Sequence, residues 1–177
     1  MKLDKNGWLS GVRKFASPNF DHRPQGSGID LLVIHNISLP PDQFGGPGIL
    51  NFFTNQLDIS EHPYYEKLKD VRVSSHFLVR RDGGVVQFVS CLQRAWHAGV
   101  SSWQGRARCN DFSVGIELEG SDFVPFTERQ YESLTRLTRR LQRAYPIRSI
   151  AGHSDIAPER KTDPGPHFDW LRYRATL

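Results

Sequence analysis

Ile29-Asp30-Leu31-Leu32-Val33-Ile34, followed by His35, is the stretch that decides the fold. It is short and almost unbroken in apolar character, as expected of a strand buried on both faces in an α/β sheet. A polar residue at the carboxyl end of such a strand stands where open α/β sheets place functional groups. His35 could equally be a capping residue, so its role depends on partners elsewhere in the chain.

Outward from that strand, the chain alternates helical and extended signals. After the turn residues Pro40, Pro41, Gly45 and Gly46, Pro47 is suited to the first position of a helix. Ile49, Leu50, Phe52, Phe53 and Leu57 recur at helical spacing and predict an amphipathic helix over the sheet. Residues 58–70 read as a long polar loop carrying His62, Tyr64 and Tyr65, a length common in binding loops. Two β-rich runs, 73–79 and 85–89, flank Asp82-Gly83, a hairpin signal. His76 falls mid-strand and reads as a hydrogen-bonded structural histidine. Phe112-Ser113-Val114-Gly115-Ile116-Glu117-Leu118-Glu119 alternates with period two. Val114, Ile116 and Leu118 then face the core, and Glu117 lies on the opposite face. A lone buried carboxylate is costly, so that face is expected to line a polar cavity holding a cation. Thr127 and Gln130 form a capping box, with Phe126 and Tyr131 as a hydrophobic staple. Tyr131, Leu134, Leu137, Leu141 and Tyr145 mark one face of the helix that follows. Residues 147–151 read as the last strand, which delivers His153 into a loop.

These signals predict a single α/β domain. Residues 1–28 form a wrapping segment of that domain, anchored by Trp8 and Phe20, with His22 on the surface. Residues 29–177 form the main body, and Phe168, Trp170, Leu171 and Tyr173 dock the tail. A chain of 177 residues has room for one substantial core. The 38% apolar fraction excludes a disordered chain. No apolar run approaches the roughly 20 residues of a membrane span, and the first residues lack the apolar region of an export signal. Two cysteines, Cys91 and Cys109, make neither a disulfide framework nor a thiolate site. Cytoplasmic residence with reduced thiols is the expectation, and no membrane partner is expected. The net charge of +4 is mild, and Arg136, Arg139, Arg140 and Arg143 share a helix face. That face reads as solvated, so nucleic acid is not expected as a partner.

The chemistry concentrates in Gly152-His153-Ser154-Asp155-Ile156-Ala157-Pro158-Glu159-Arg160-Lys161-Thr162-Asp163-Pro164-Gly165-Pro166. Any one of its polar residues could belong to a solvated loop with an exposed ion pair. Set beside His35 and Glu117, they make a working site. Two histidines and an aspartate (His35, His153, Asp163) would leave a fourth tetrahedral position open, the arrangement of a catalytic zinc ion. Glu117 could carry the proton of a water, and Lys161 could stabilise an oxyanion. Arg94-Ala95-Trp96-His97-Ala98-Gly99 offers either a stacking wall for a ring or a lid on the core.

Five stretches carry a resemblance. They are residues 31–41, 72–79, 94–99, 108–120 and 152–166. In them the chain resembles the AmpD type of cytosolic 1,6-anhydro-N-acetylmuramyl-L-alanine amidase, and the resemblance extends from Trp8 to Trp170. It implies zinc on His35, His153 and Asp163, with Glu117 and Lys161 as the catalytic pair. It implies a mixed central β-sheet flanked by α-helices, as in phage lysozyme-amidases and peptidoglycan recognition proteins. It further implies an anhydromuramyl-peptide substrate, met by Asn36, Tyr64, Arg72, Trp96, His97 and Arg108. A monomer is expected. The rival readings are a non-catalytic peptidoglycan-binding module and an amidase acting on intact murein.

Overall fold

The computed structural model describes residues 2–177. The apolar run that leads into His35 forms strand β3, Leu31–Ile37. Before it come two short strands, β1 (Arg13–Lys14) and β2 (Phe20–His22). After it come helix α1 (Gly48–Phe53) and strands β4 (Phe77–Val79), β5 (Val85–Gln87), β6 (Gln93–Ala95), β7 (Ser102–Trp103), β8 (Arg106–Ala107) and β9 (Ser113–Glu119). Helix α2 (Glu128–Ala144), strand β10 (Ser149–Gly152), helix α3 (His153–Ile156) and helix α4 (Trp170–Ala175) complete the domain.

The main sheet has six strands in the order β1-β5-β4-β9-β3-β10. It is mixed: β3 runs parallel to both β9 and β10, while β4 and β5 form the antiparallel hairpin. Gly83 supplies the φ of +83° that the hairpin turn requires, and a Cβ there would stand 2.8 Å from the Arg129 carbonyl oxygen.

Alternation on the two central strands creates two different faces. Leu32 and Ile34 of β3, with Val114, Ile116 and Leu118 of β9, meet Leu134, Leu137 and Leu141 of α2 in one core. Leu31 and Val33 point the other way, into a smaller cluster with Ala98, Cys109, Phe112 and Ile156. His35, Gly115 and Glu117 share that second face by the same period of two. A third cluster joins α1, through Ile49, Phe52 and Phe53, to Leu78 and Val86. Both cysteines are buried and free.

Several elements differ from the sequence expectation. β3 continues through His35 to Ile37, because its parallel pairing with β9 persists from Leu31↔Ser113 to Ile37↔Glu119. Pro47 is the residue before the first turn of α1, which ends at Phe53 without reaching Leu57. Residues 58–70 are two 3-10 turns, each capped by a side chain: Asp58 accepts from the Ser60 amide and His62 from the Tyr64 amide. His76 precedes β4 and is fully buried, with Nδ1 accepting from the Gly115 amide at 3.1 Å. The anchor of the N-terminal segment is Leu9, at 0% exposure; Phe20 is 41% exposed. Phe20 pairs through its backbone with Ala95, which leaves its ring in solvent. In the tail, Phe168 and Tyr173 are buried but Leu171 is 85% exposed, on the outer side of α4.

Candidate metal centre and active site

The carboxyl ends of β3, β9 and β10 meet at one point. His35 lies directly across from Glu117 in the β3/β9 register. Gly152 pairs with Ile34, so His153, the next residue, starts α3 beside His35. The loop after α3 returns Asp163 to the same place, and Asn36 fastens it there. The Asn36 amide donates to the Pro164 carbonyl at 3.0 Å and to Asp122 Oδ1 at 2.7 Å.

Three ligand-type atoms converge. His35 Nδ1 and His153 Nδ1 stand 3.0 Å apart, and each is 3.1 Å from Asp163 Oδ2. Ligands at about 2.0–2.1 Å from a tetrahedral zinc ion are separated by roughly 3.3 Å. Two imidazoles and a carboxylate suit zinc chemically as well. Each imidazole turns its other nitrogen to a partner, as metal-binding histidines do. His153 Nε2 donates to the Ala98 carbonyl at 3.0 Å, and His35 Nε2 is 2.9 Å from His97 Nδ1. His35 and His153 are nearly inaccessible to solvent.

The electrostatics point the same way. Burial holds His35 down at about 4, partly opposed by the bond to Asp163, so the imidazole is neutral. Burial works against the Asp163 charge, but bonds from His153 and His35 outweigh it and keep the carboxylate ionised. Glu117 is pushed well above the usual carboxylate range, first by burial and then by the Asp163 charge, with Lys161 opposing. A divalent ion at the three donors would add positive charge beside these two carboxylates.

These groups open into a cleft of about 580 Å³, a volume suited to a small organic ligand. Lys161, Asn36, Tyr64, Trp96 and His97 line it with Glu117 and the three candidate ligands. Arg72 and Arg108 do not. Arg72 is exposed and donates to the carbonyls of Lys69 and Val71. The Arg108 side chain is 69% exposed and pairs with Asp111. Sequence reasoning missed Arg160, Asp122 and Phe123 on the cleft wall. Arg160 donates to the carbonyls of Ala98 and Val100, both at 2.8 Å. Its signal was its place beside Lys161. Arg23 was also missed: it is half-buried and donates to the carbonyls of Cys91, Asn110, Asp111 and Ser113. A single arginine before a proline carries no mark of that role.

Comparison with known proteins agrees with the geometry. Residues 25–166 match the family model described as N-acetylmuramoyl-L-alanine amidase. The chain is 55% identical to the 1,6-anhydro-N-acetylmuramyl-L-alanine amidase AmpD of Citrobacter freundii, across 100% of this chain and 95% of that one. It superposes on a crystal structure of a selenomethionine AmpD derivative with a TM-score of 0.97 at 55% identity, covering 100% and 99% of the two chains. The Escherichia coli amidase AmiD, solved with its substrate anhydro-N-acetylmuramic acid-L-Ala-D-γ-Glu-L-Lys, matches at 32% identity and a TM-score of 0.61. That match covers 88% of this chain and 60% of AmiD. The family match spans most of the domain and all three strands that carry the site, so the chain belongs to the N-acetylmuramoyl-L-alanine amidase family and is an amide hydrolase.

Proposed function

We propose that this amidase cleaves the bond between the lactyl group of 1,6-anhydro-N-acetylmuramic acid and L-alanine, in soluble muropeptides recovered during peptidoglycan recycling. The metal would be zinc, held by His35 Nδ1, His153 Nδ1 and Asp163 Oδ2. The observation that carries the reading is this convergence of three donors beside Glu117, which the β3/β9 register sets across from His35. The full-length similarity to AmpD amidases supports the choice of substrate.

Bound there, zinc would supply Lewis acidity, which acidifies water and polarises a carbonyl. The chain's own residues do the rest. Glu117, with its proton affinity raised by burial, takes a proton from the attacking water and returns it to the L-alanine nitrogen as the C–N bond breaks. Lys161 brings an ammonium to the oxyanion of the tetrahedral intermediate. The products are the lactyl carboxylate and a free peptide amine. Trp96 and Tyr64 offer aromatic faces to the sugar and peptide, and Asn36 holds the Asp163 loop in place. Arg72 and Arg108, as placed outside the cleft, would reach only a peptide that extends beyond it.

Residues 1–28 are taken as part of the same folding unit as residues 29–177, and the active form as a cytoplasmic monomer. No helix among the described residues is long and apolar enough to cross a membrane. The test is substrate preference. Peptide should be released from anhydromuramyl-tripeptide much faster than from its reducing-sugar analogue or from whole sacculi. Equal rates on sacculi would remove the substrate assignment and leave the amidase chemistry standing.

A further inference from the structure

We propose that His97 and Ala98 form a two-point clamp that sets the orientation and tautomer of both histidine ligands, with His97 as a positioning residue and not a substrate contact. The inference rests on the metal reading above. For His35 and His153 to present Nδ1 to a metal, each must carry its proton on Nε2, and each of those N–H groups needs an acceptor. Adjacent residues of one segment provide both. The Ala98 carbonyl, which can only accept, lies 3.0 Å from His153 Nε2. His97 Nδ1 lies 2.9 Å from His35 Nε2, with the rings nearly perpendicular at 86°.

The His97 ring is committed on both sides. Accepting at Nδ1 leaves its proton on Nε2, which is 3.1 Å from Ser113 Oγ. No polar atom of the ring remains for a ligand in the cleft, although the ring forms part of the wall. The segment itself is fixed by Asn110, whose Oδ1 accepts from the amides of His97 at 3.2 Å and Ala98 at 2.8 Å. Room for the ring comes from Gly115: a Cβ at that position would stand 2.5 Å from His97 Cγ. Sequence-distant residues thus converge on one purpose. Asn110, Ser113 and Gly115 seat the clamp, and the clamp aims the two imidazoles.

Outer partners of metal-binding histidines typically contribute 10–100-fold in metal affinity. Zinc affinity of the full-length protein, measured by competition with a chelating dye, should therefore fall about 10–100-fold in His97→Phe. It should stay close to wild type in His97→Asn, whose Oδ1 can accept in place of Nδ1. In zinc-saturated His97→Phe, the KM for anhydromuramyl-tripeptide should be unchanged. Should His97→Phe fail to fold, nitrogen-15 spectra of the zinc-loaded wild type decide the matter: both ligands should carry the proton on Nε2. Wild-type zinc affinity in His97→Phe with a raised KM would make His97 a substrate contact and overturn the proposal. Equal loss in His97→Asn and His97→Phe, or an Nδ1-protonated ligand, would also overturn it. If wild-type protein binds zinc through this clamp but does not cleave anhydromuramyl-tripeptide, only the substrate reading fails.

Discussion

Glu117 and Lys161 share the cleft with the three candidate ligands without belonging to them, so their loss separates catalysis from metal binding. Glu117→Gln keeps the shape of the side chain and removes the proton acceptor. It should retain zinc and lower kcat by about 10²–10⁴-fold, the usual contribution of a positioned acid–base group. Lys161→Ala should retain zinc and lose about 10²–10³-fold in kcat through the missing oxyanion partner. Metal content by emission spectroscopy, alongside turnover, checks both. A variant turning over at the wild-type rate would take that residue out of the mechanism. At this scale the sequence was informative about residue types: a histidine after an apolar strand, a glutamate on a buried strand, and a histidine–lysine–aspartate loop. It was silent about side-chain direction. Arg108 sits at φ 64° and turns to Asp111 three residues on, and Arg72 bonds to its own loop. Neither choice leaves a trace in spacing.

The parallel β3/β9 pair is the element on which the site depends, because its register fixes His35 opposite Glu117. Gly115 sits two residues before Glu117 and gives His97 its place. Gly115→Ala should therefore force the ring or the strand to move, with a cost of about 1–3 kcal/mol in a tightly packed interior. Urea unfolding of the zinc-free variant measures it. A loss below about 0.5 kcal/mol, within the range of an inert surface change, would mean that the ring is not seated as described. Helix α2 was readable nearly to the residue, since Thr127 and Gln130 make both bonds of the capping box. The hydrophobic staple is indirect, with Phe126 and Tyr131 each against the ring of Phe168. The end of β3 was harder to read. Its last residues are held by pairing to β9, a partner remote in sequence, and their polarity suggests a loop.

Taken whole, the molecule buries an unusual set of uncharged histidines, and this sets its response to acid. Burial depresses His35 to about 4 and His76 to about 3, from an ordinary value of 6.5, and His97 falls well below that value too. Below pH 6.5 the unfolded chain takes up protons that the folded chain refuses, so these groups favour the unfolded state as pH falls. Their contribution is fully present above about pH 6.5 and is progressively lost as pH falls towards 3. Urea midpoints of the metal-free protein should drop between pH 7 and pH 5, before most carboxylates titrate. A midpoint constant over that interval would show that the histidines are not held neutral. Bound metal should steepen the dependence, because protons compete for its ligands. The fold class was readable at this scale because alternating strand and helix signals admit few architectures. The contacts of Leu9 and Arg23 were not readable, since both stand at positions with no periodic pattern.

The central claim is that a metal held by His35, His153 and Asp163 drives the amidase. Metal-free protein titrated with zinc, while peptide release from anhydromuramyl-tripeptide is followed, tests it most directly. Activity should rise from background and saturate at one zinc per chain, and Asp163→Ala should neither bind tightly nor respond. Full activity in the metal-free protein, or stoichiometric zinc binding and normal turnover in Asp163→Ala, would contradict it.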